Sequence, residues 1–172
     1  MQVSFFVNDR DSTLDVDPRD VLVDVLRDAL GLTGSKKSCG HGNCGSCTVL
    51  LGEHAVYACL VLAVECEGAR ITTIEGLGND GSLDALQRAF IENDAMQCGF
   101  CTPGQIMSIK ELEQRGERLS DERLRLELSG NLCRCGTYRH IHAAAKSILD
   151  AGGRDGGARG SDGGARGSDG NE

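Results

Sequence analysis

The chain opens on a two-residue alternation. Gln2 to Val7 and Ser12 to Val16 place apolar side chains at every other position on either side of the polar stretch Asn8-Asp9-Arg10-Asp11. That pattern predicts a β-hairpin with one face buried. The period then lengthens: Asp17 offers a helix N-cap and Pro18 a first helical position, and Val21, Leu22, Val25, Leu26 and Leu30 keep helical spacing until Gly31. Thr48 to Leu51 and Arg70 to Ile74 are short runs that predict further strands.

Gly76-Leu77-Gly78-Asn79-Asp80-Gly81 interrupts this organisation and marks a domain boundary. Beyond it the spacing is helical throughout. Ser82 is placed to cap a helix to about Glu92, Pro103 to begin one to about Gln114, Ser120 to cap a third to about Leu128, and Tyr138 to Leu149 a fourth. The expected fold is therefore α+β: a strand-rich unit over 1–76, then an all-α four-helix unit over 82–151. From Gly152 the composition collapses, and Gly-Gly-Ala-Arg-Gly-Ser-Asp occurs at Gly156 to Asp162 and again at Gly163 to Asp169. With almost nothing apolar to bury, residues 152–172 predict a flexible tail.

Composition narrows the class. The 172 residues are 40% hydrophobic but only 3% aromatic, without Trp, so the cores must be built from Val, Leu, Ile and Ala. Two units of about 75 residues each have thin cores, and a bound metal would add to their folding energy. No apolar run approaches the length of a membrane span. A net charge of −8 argues against nucleic acid.

Eight of the nine cysteines form two sets: Cys39, Cys44, Cys47 and Cys59, then Cys98, Cys101, Cys133 and Cys135. The first opens C-x4-C-x2-C, the plant-type spacing for a 2Fe-2S cluster, with glycines between the ligands where the backbone must curl closely around the inorganic core. A hairpin, a helix and further strands around such a loop predict the β-grasp arrangement of a plant-type ferredoxin domain. The second set, a C-x2-C with a distant C-x-C, suits Zn²⁺ as well as iron-sulfur. Disulfides are opposed by the odd cysteine count and by an N-terminus too short and too soon acidic for a signal peptide, which points to a reducing, cytoplasmic setting. Both later cysteine pairs precede predicted helices, whose positive dipole ends would face a negative centre.

The strings CGHGNCGSCTVLLG, YACLVLA, QCGFCTPG and LSGNLCRCGTYRHI, in that order, resemble the small iron-sulfur subunit of the molybdenum hydroxylases, the xanthine dehydrogenase, aldehyde oxidoreductase and aerobic carbon monoxide dehydrogenase family. The likeness runs from about Val3 to Ile148 and departs from the family where Gly136 and Thr137 stand in swapped order. The resemblance implies two 2Fe-2S clusters, which turns the second set from zinc to iron. It further implies a hetero-oligomer with molybdopterin on a large subunit and FAD on another. Electrons would then reach the Cys98, Cys101, Cys133 and Cys135 centre first and the Cys39, Cys44, Cys47 and Cys59 centre next. By the same resemblance Gln97, directly before Cys98, contacts the molybdopterin. No residue need act as acid, base or nucleophile. A free-standing two-cluster ferredoxin shuttle is the alternative.

The remaining candidates have plainer readings. Cys66, in an apolar stretch, predicts a buried inert thiol. His140 and His142 would suit a Rieske site, but both cysteine sets are already complete. Arg134 lies between two ligands, where its charge could raise a potential or pair with an acidic neighbour.

Overall fold

The computed structural model describes residues 1–78 and 81–152; the Gly-rich repeats expected to form a tail lie outside the described residues. Strand β1 (Gln2–Val7) pairs antiparallel with β2 (Arg10–Asp15), with Val7 opposite Arg10. Only Asn8 and Asp9 remain in the turn, at φ 51° and 62°. Positive φ at both central residues is the type I′ requirement, and its twist matches that of the strands. The hairpin is thus two residues tighter than the polar stretch alone predicts.

The predicted helix start at Asp17 is corrected by tertiary contacts. The Asp17 carboxylate accepts from the Arg19 amide and Nε, both at 2.9 Å, and closes a local turn. Val21 is extended and bridges to Leu62, while the Leu22 amide donates to the Val61 carbonyl at 2.8 Å. Pinned there, the chain turns helical only at α1 (Leu22–Asp24), which continues as wider π turns over Val25–Ala29.

Strands β3 (Thr48–Leu51), β4 (His54–Tyr57) and β5 (Arg70–Thr72) complete a five-stranded sheet in the order β2-β1-β5-β3-β4. The β1–β5 pair is parallel and the others antiparallel. β4 escaped the pattern reading because its four residues are exposed or half-buried and do not alternate. The strand predicted to reach Ile74 ends at Thr72, because the Asn8 side chain takes over the Thr73 amide at 2.9 Å. Val3, Phe5 and Val7 of β1 point to one face, as the period of two requires, and pack with Leu22, Leu26, Val49 and Ile71.

After residue 81 the described elements are helices: α2 (Ala85–Glu92), α3 (Thr102–Arg115), α4 (Asp121–Glu127) and α5 (Tyr138–Gly152), with a 3₁₀ turn at Leu128–Gly130. Ser120 caps α4 as expected, its hydroxyl accepting from the Arg123 amide. The cap of α2 is Asp84 and not Ser82. Its carboxylate accepts from the Leu86 amide at 2.8 Å, and Gln87 Oε1 accepts from the Asp84 amide at 2.9 Å, a reciprocal capping box. Helix α5 runs through Gly152, past the predicted tail boundary. Leu86, Phe90, Ile109, Leu124 and Ile141 form a second core, joined by Ile74 and Leu77. Helix α3 also packs against β3 and β4, so it belongs to both halves.

Asp84 additionally pairs with Lys110 of α3 at 3.0 Å. Asp84→Ala should lower stability by about 1–2 kcal/mol through the lost cap, read by denaturant unfolding, while iron content stays constant. Asp84→Asn, which keeps the cap acceptor, should recover most of that loss.

Candidate metal centres

The first cysteine loop leaves α1 and re-enters the sheet at β3. Within it the Asn43 amide points at Cys39 Sγ at 3.3 Å. Backbone hydrogen bonds from His41, and less so from Asn43 and Cys44, pull the Cys39 thiol down to about 6. N–H donors favour the thiolate, which is the form that binds metal. Cys47 is buried, and that burial, followed by its neighbour Cys59, pushes its thiol up to about 12. Such a thiol gives up its proton only to a cation placed against it. Cys59 follows β4, where the Ala58 amide donates to the Cys47 carbonyl at 3.3 Å and holds the two cysteine segments together.

The second set lies at the starts of two helices. Cys101 immediately precedes α3, and Cys133 and Cys135 lead into α5 through Gly136, at φ 76°. Cys133 Sγ lies 3.0 Å from the Thr137 hydroxyl, and its amide donates to Tyr138 Oη at 2.8 Å. Burial acts most strongly on Cys133 and raises it, but Thr137, Cys101 and the backbone together bring it down to about 7. Cys101 is pushed up to about 12 by burial and by Cys133. The Gly136-Thr137 order, read from the sequence as a departure, puts the residue free of a Cβ in the left-handed turn and a hydroxyl on the sulfur.

The thiols of each set act on one another: Cys44 on Cys39, Cys59 and Cys44 on Cys47, Cys135 and Cys133 on Cys98, and Cys133 and Cys98 on Cys101. Among the described residues no three His, Cys, Asp or Glu side chains gather around a single-ion position. Four thiols in each set are the number a 2Fe-2S core needs, two thiolates for each iron. Both sets meet in one groove of about 440 Å³, lined by Cys44 from the first and by Cys98, Cys101 and Cys133 from the second, with Phe100 and Tyr138.

Gln97 is exposed beside Cys98. Cys66 is fully buried in the first core, and its thiol, raised chiefly by burial, donates to the Leu62 carbonyl. His140 is taken up by the Asn93 carbonyl at 2.8 Å, and Arg134 is exposed on the groove. Sequence reasoning missed Tyr57 and Asn131, which link the halves next to the ligands. Tyr57 Oη donates to the Gly130 carbonyl at 2.9 Å, and burial, then the neighbouring Cys47, Cys44 and Cys39, keep the phenol protonated. The only sequence signal for Asn131 is its place two residues before Cys133.

A β-sheet unit and a helical unit, each carrying one set of four cysteines, are the framework of a carrier with two iron-sulfur centres. The profile described as "2Fe-2S iron-sulfur cluster binding domain" matches residues 5–73, and that described as "[2Fe-2S] binding domain" matches residues 73–146. The aldehyde oxidoreductase iron-sulfur-binding subunit PaoA of Escherichia coli (strain K12) is 46% identical over 169 residues, covering 89% of this chain and 72% of that protein. Caffeine dehydrogenase subunit gamma of Pseudomonas sp. (strain CBB1) is 44% identical over 149 residues, covering 85% and 89%. The crystal structure of quinoline 2-oxidoreductase from Pseudomonas putida 86 superposes with a TM-score of 0.82 at 40% identity, covering 88% of this chain and 95% of that one. The chain belongs to the small iron-sulfur subunits of the molybdenum hydroxylases. It is an electron-transfer subunit of a multi-subunit oxidoreductase, and no helix among the described residues is long and apolar enough to cross a membrane.

Loop glycines should differ in tolerance. Gly40 and Gly45 both have positive φ, 72° and 69°, and an alanine pays roughly 1–3 kcal/mol for that conformation. A Cβ at Gly40 would meet only the end of Lys37, whereas at Gly45 it would lie 2.5 Å from Asn131 Nδ2 and 2.6 Å from the Gly130 carbonyl. Gly45→Ala should therefore lose bound iron and thermal stability, and Gly40→Ala should retain most of both, as read by iron analysis and a melting curve.

Proposed function

We propose that Cys39, Cys44, Cys47 and Cys59 hold one 2Fe-2S cluster and that Cys98, Cys101, Cys133 and Cys135 hold the other, in a β-grasp unit over 1–76 and a four-helix unit over 82–151. The division of the eight cysteines between the two matched 2Fe-2S profiles, one set of four in residues 5–73 and the other in residues 73–146, carries this assignment. When bound, each cluster supplies a one-electron redox centre. The chain's own part is to orient thiolates, donate N–H groups to sulfur at Cys39 and Cys98, and set a hydroxyl against Cys133. Cys66 stands outside both sets.

The second unit faces a molybdopterin-binding large subunit, and the first faces an FAD subunit or another acceptor. Exposed apolar residues support a docked subunit over a free shuttle. Met96, Phe100, Leu132 and Tyr138 are each 39–50% exposed and all lie beside the second set of ligands. Uncovered apolar surface around a redox centre fits a protein interface. The reducing chemistry that keeps eight thiols available fits the cytoplasm. Size-exclusion of the native protein separates the readings: co-elution with larger subunits supports the complex, and a lone small species supports the shuttle.

Two irons in each of two domains give four iron and four sulfide per chain. Cys44→Ser should abolish one cluster's electron paramagnetic resonance signal, Cys133→Ser the other, and Cys66→Ser neither. Stoichiometric zinc, or cluster loss on Cys66→Ser, contradicts the ligand assignment.

Gln97 is proposed to hydrogen-bond the pterin of the large subunit, since its exposed amide adjoins Cys98 and can both donate and accept. In the assembled complex Gln97→Ala should keep both clusters and lose about 1–3 kcal/mol of contact. Stopped-flow reduction of the clusters by substrate should slow accordingly, or molybdenum occupancy should fall. Wild-type rates at full occupancy contradict the contact.

A further inference from the structure

The two thiol sets come from different halves of the chain, so their separation depends on what joins the halves. Asn131 lies at that junction and is 4% exposed. Its Nδ2 donates to the Gly45 carbonyl at 3.0 Å and to Thr48 Oγ1 at 3.3 Å, while its Oδ1 accepts from Ser108 Oγ at 2.9 Å. The Gly45 carbonyl can only accept, which fixes the amide's orientation. Thr48 spends its own hydroxyl hydrogen on the same carbonyl, at 2.6 Å, leaving its oxygen free to accept. The Asn131 carbonyl accepts from Gln105 Nε2 at 2.9 Å, and the next amide, Leu132, donates to the carbonyl of Cys44 at 2.9 Å.

Steric contact sets the opposite limit. A Cβ on Gly104 would lie 2.2 Å from the Gly45 carbonyl, and one on Gly130 would lie 2.2 Å from Tyr57 Oη. Backbone thus touches backbone at Gly104 and meets the Tyr57 hydroxyl at Gly130, and neither place leaves room for a side chain. The amide pulls the seam shut and the glycines stop it. Gly45 lies between Cys44 and Cys47, and Asn131 two residues before Cys133, so the seam connects the two ligand loops directly.

We propose that Asn131 is a positioning residue that fixes the separation and mutual orientation of the two metal centres, by fastening the Cys44–Cys47 loop to the segment leading into Cys133. This rests on the reading that each set holds a 2Fe-2S cluster. Electron transfer between fixed centres falls exponentially with distance, so a loosened seam would be felt in rate before it was felt in folding.

The test uses the full chain carrying both clusters. Reduced with dithionite, two nearby paramagnetic centres split each other's resonance lines by a dipolar coupling that falls with the cube of their separation. Asn131→Asp keeps the side-chain size and the acceptor for Ser108, but sets an oxygen against the Gly45 carbonyl. It should retain four iron and each cluster's own g values, lose the sharp intercluster splitting, and exchange the Leu132 amide proton faster. Asn131→Ala should do the same, whereas Ser108→Ala, which leaves both Nδ2 contacts in place, should keep the wild-type splitting. Wild-type splitting in Asn131→Asp with both clusters present would overturn the proposal. So would loss of the clusters from both Asn131 variants, since that outcome makes the residue a folding element and not a spacer. A wild-type chain without four iron would instead remove the underlying cluster reading.

Discussion

Holding thiolate charge inside thin protein cores is the constraint on which the structure turns. A buried sulfur resists ionisation, and burial is the largest cause of the upward push to about 12 at Cys47 and Cys101. Another thiol of each set runs the other way: backbone N–H groups bring Cys39 to about 6, and Thr137 with Cys101 brings Cys133 to about 7. Each set therefore contains at least one thiol drawn toward the thiolate and at least one held protonated until a cation is placed against it. Metal binding to such sets releases protons and contributes to folding directly, which suits units whose apolar cores are small.

The two halves meet this constraint with different secondary structure. In the first, a loop between α1 and β3 wraps the sulfurs, and sheet pairing anchors its ends: the Thr48–Leu51 strand carries Cys47 at its start, and β4 delivers Cys59. In the second, helix starts replace loop amides. Cys101 precedes α3, and Cys135 precedes α5 by a short turn, so the positive ends of two helices of 14 and 15 residues lie toward the thiols. Helix α3 serves both arrangements, because it packs on β3 and β4 while its first turn borders the second set.

What the sequence revealed depended on whether a feature is local. The C-x4-C-x2-C run is local and could be read directly, whereas the second set, with Cys101 and Cys133 far apart in the chain, was turned from zinc to iron only by the family resemblance; the β1–β2 alternation and Ser120 are local too. Ser82 and Asp84 are both acceptable caps by residue type. The choice falls to Asp84 because that helix start puts Leu86, Ala89 and Phe90 into the second core and Asp84 beside Lys110. Asp17 failed as a cap because residues forty positions away, Val61 and Leu62, hold Val21 in extended backbone and tie down the Leu22 amide. Asn131 was invisible for the same reason, its decisive partners Gly45 and Thr48 being 86 and 83 residues distant.

A fixed electron path asks something that a mobile carrier does not. The shuttle must expose one centre to successive partners, whereas the wire must keep two centres at one spacing through every turnover. The seam through Gly45, Gly104, Gly130 and Asn131 meets the second demand, because hydrogen bonds and van der Waals contact oppose each other across it. Packed interfaces of this kind are discrete and do not stretch gradually. Tyr57 adds a second fastening to the same strip of backbone, at Gly130. That Gly45, Tyr57, Gly104, Gly130 and Asn131 each lie within three residues of one of the eight cysteines argues that the junction was shaped around the centres as much as around the fold.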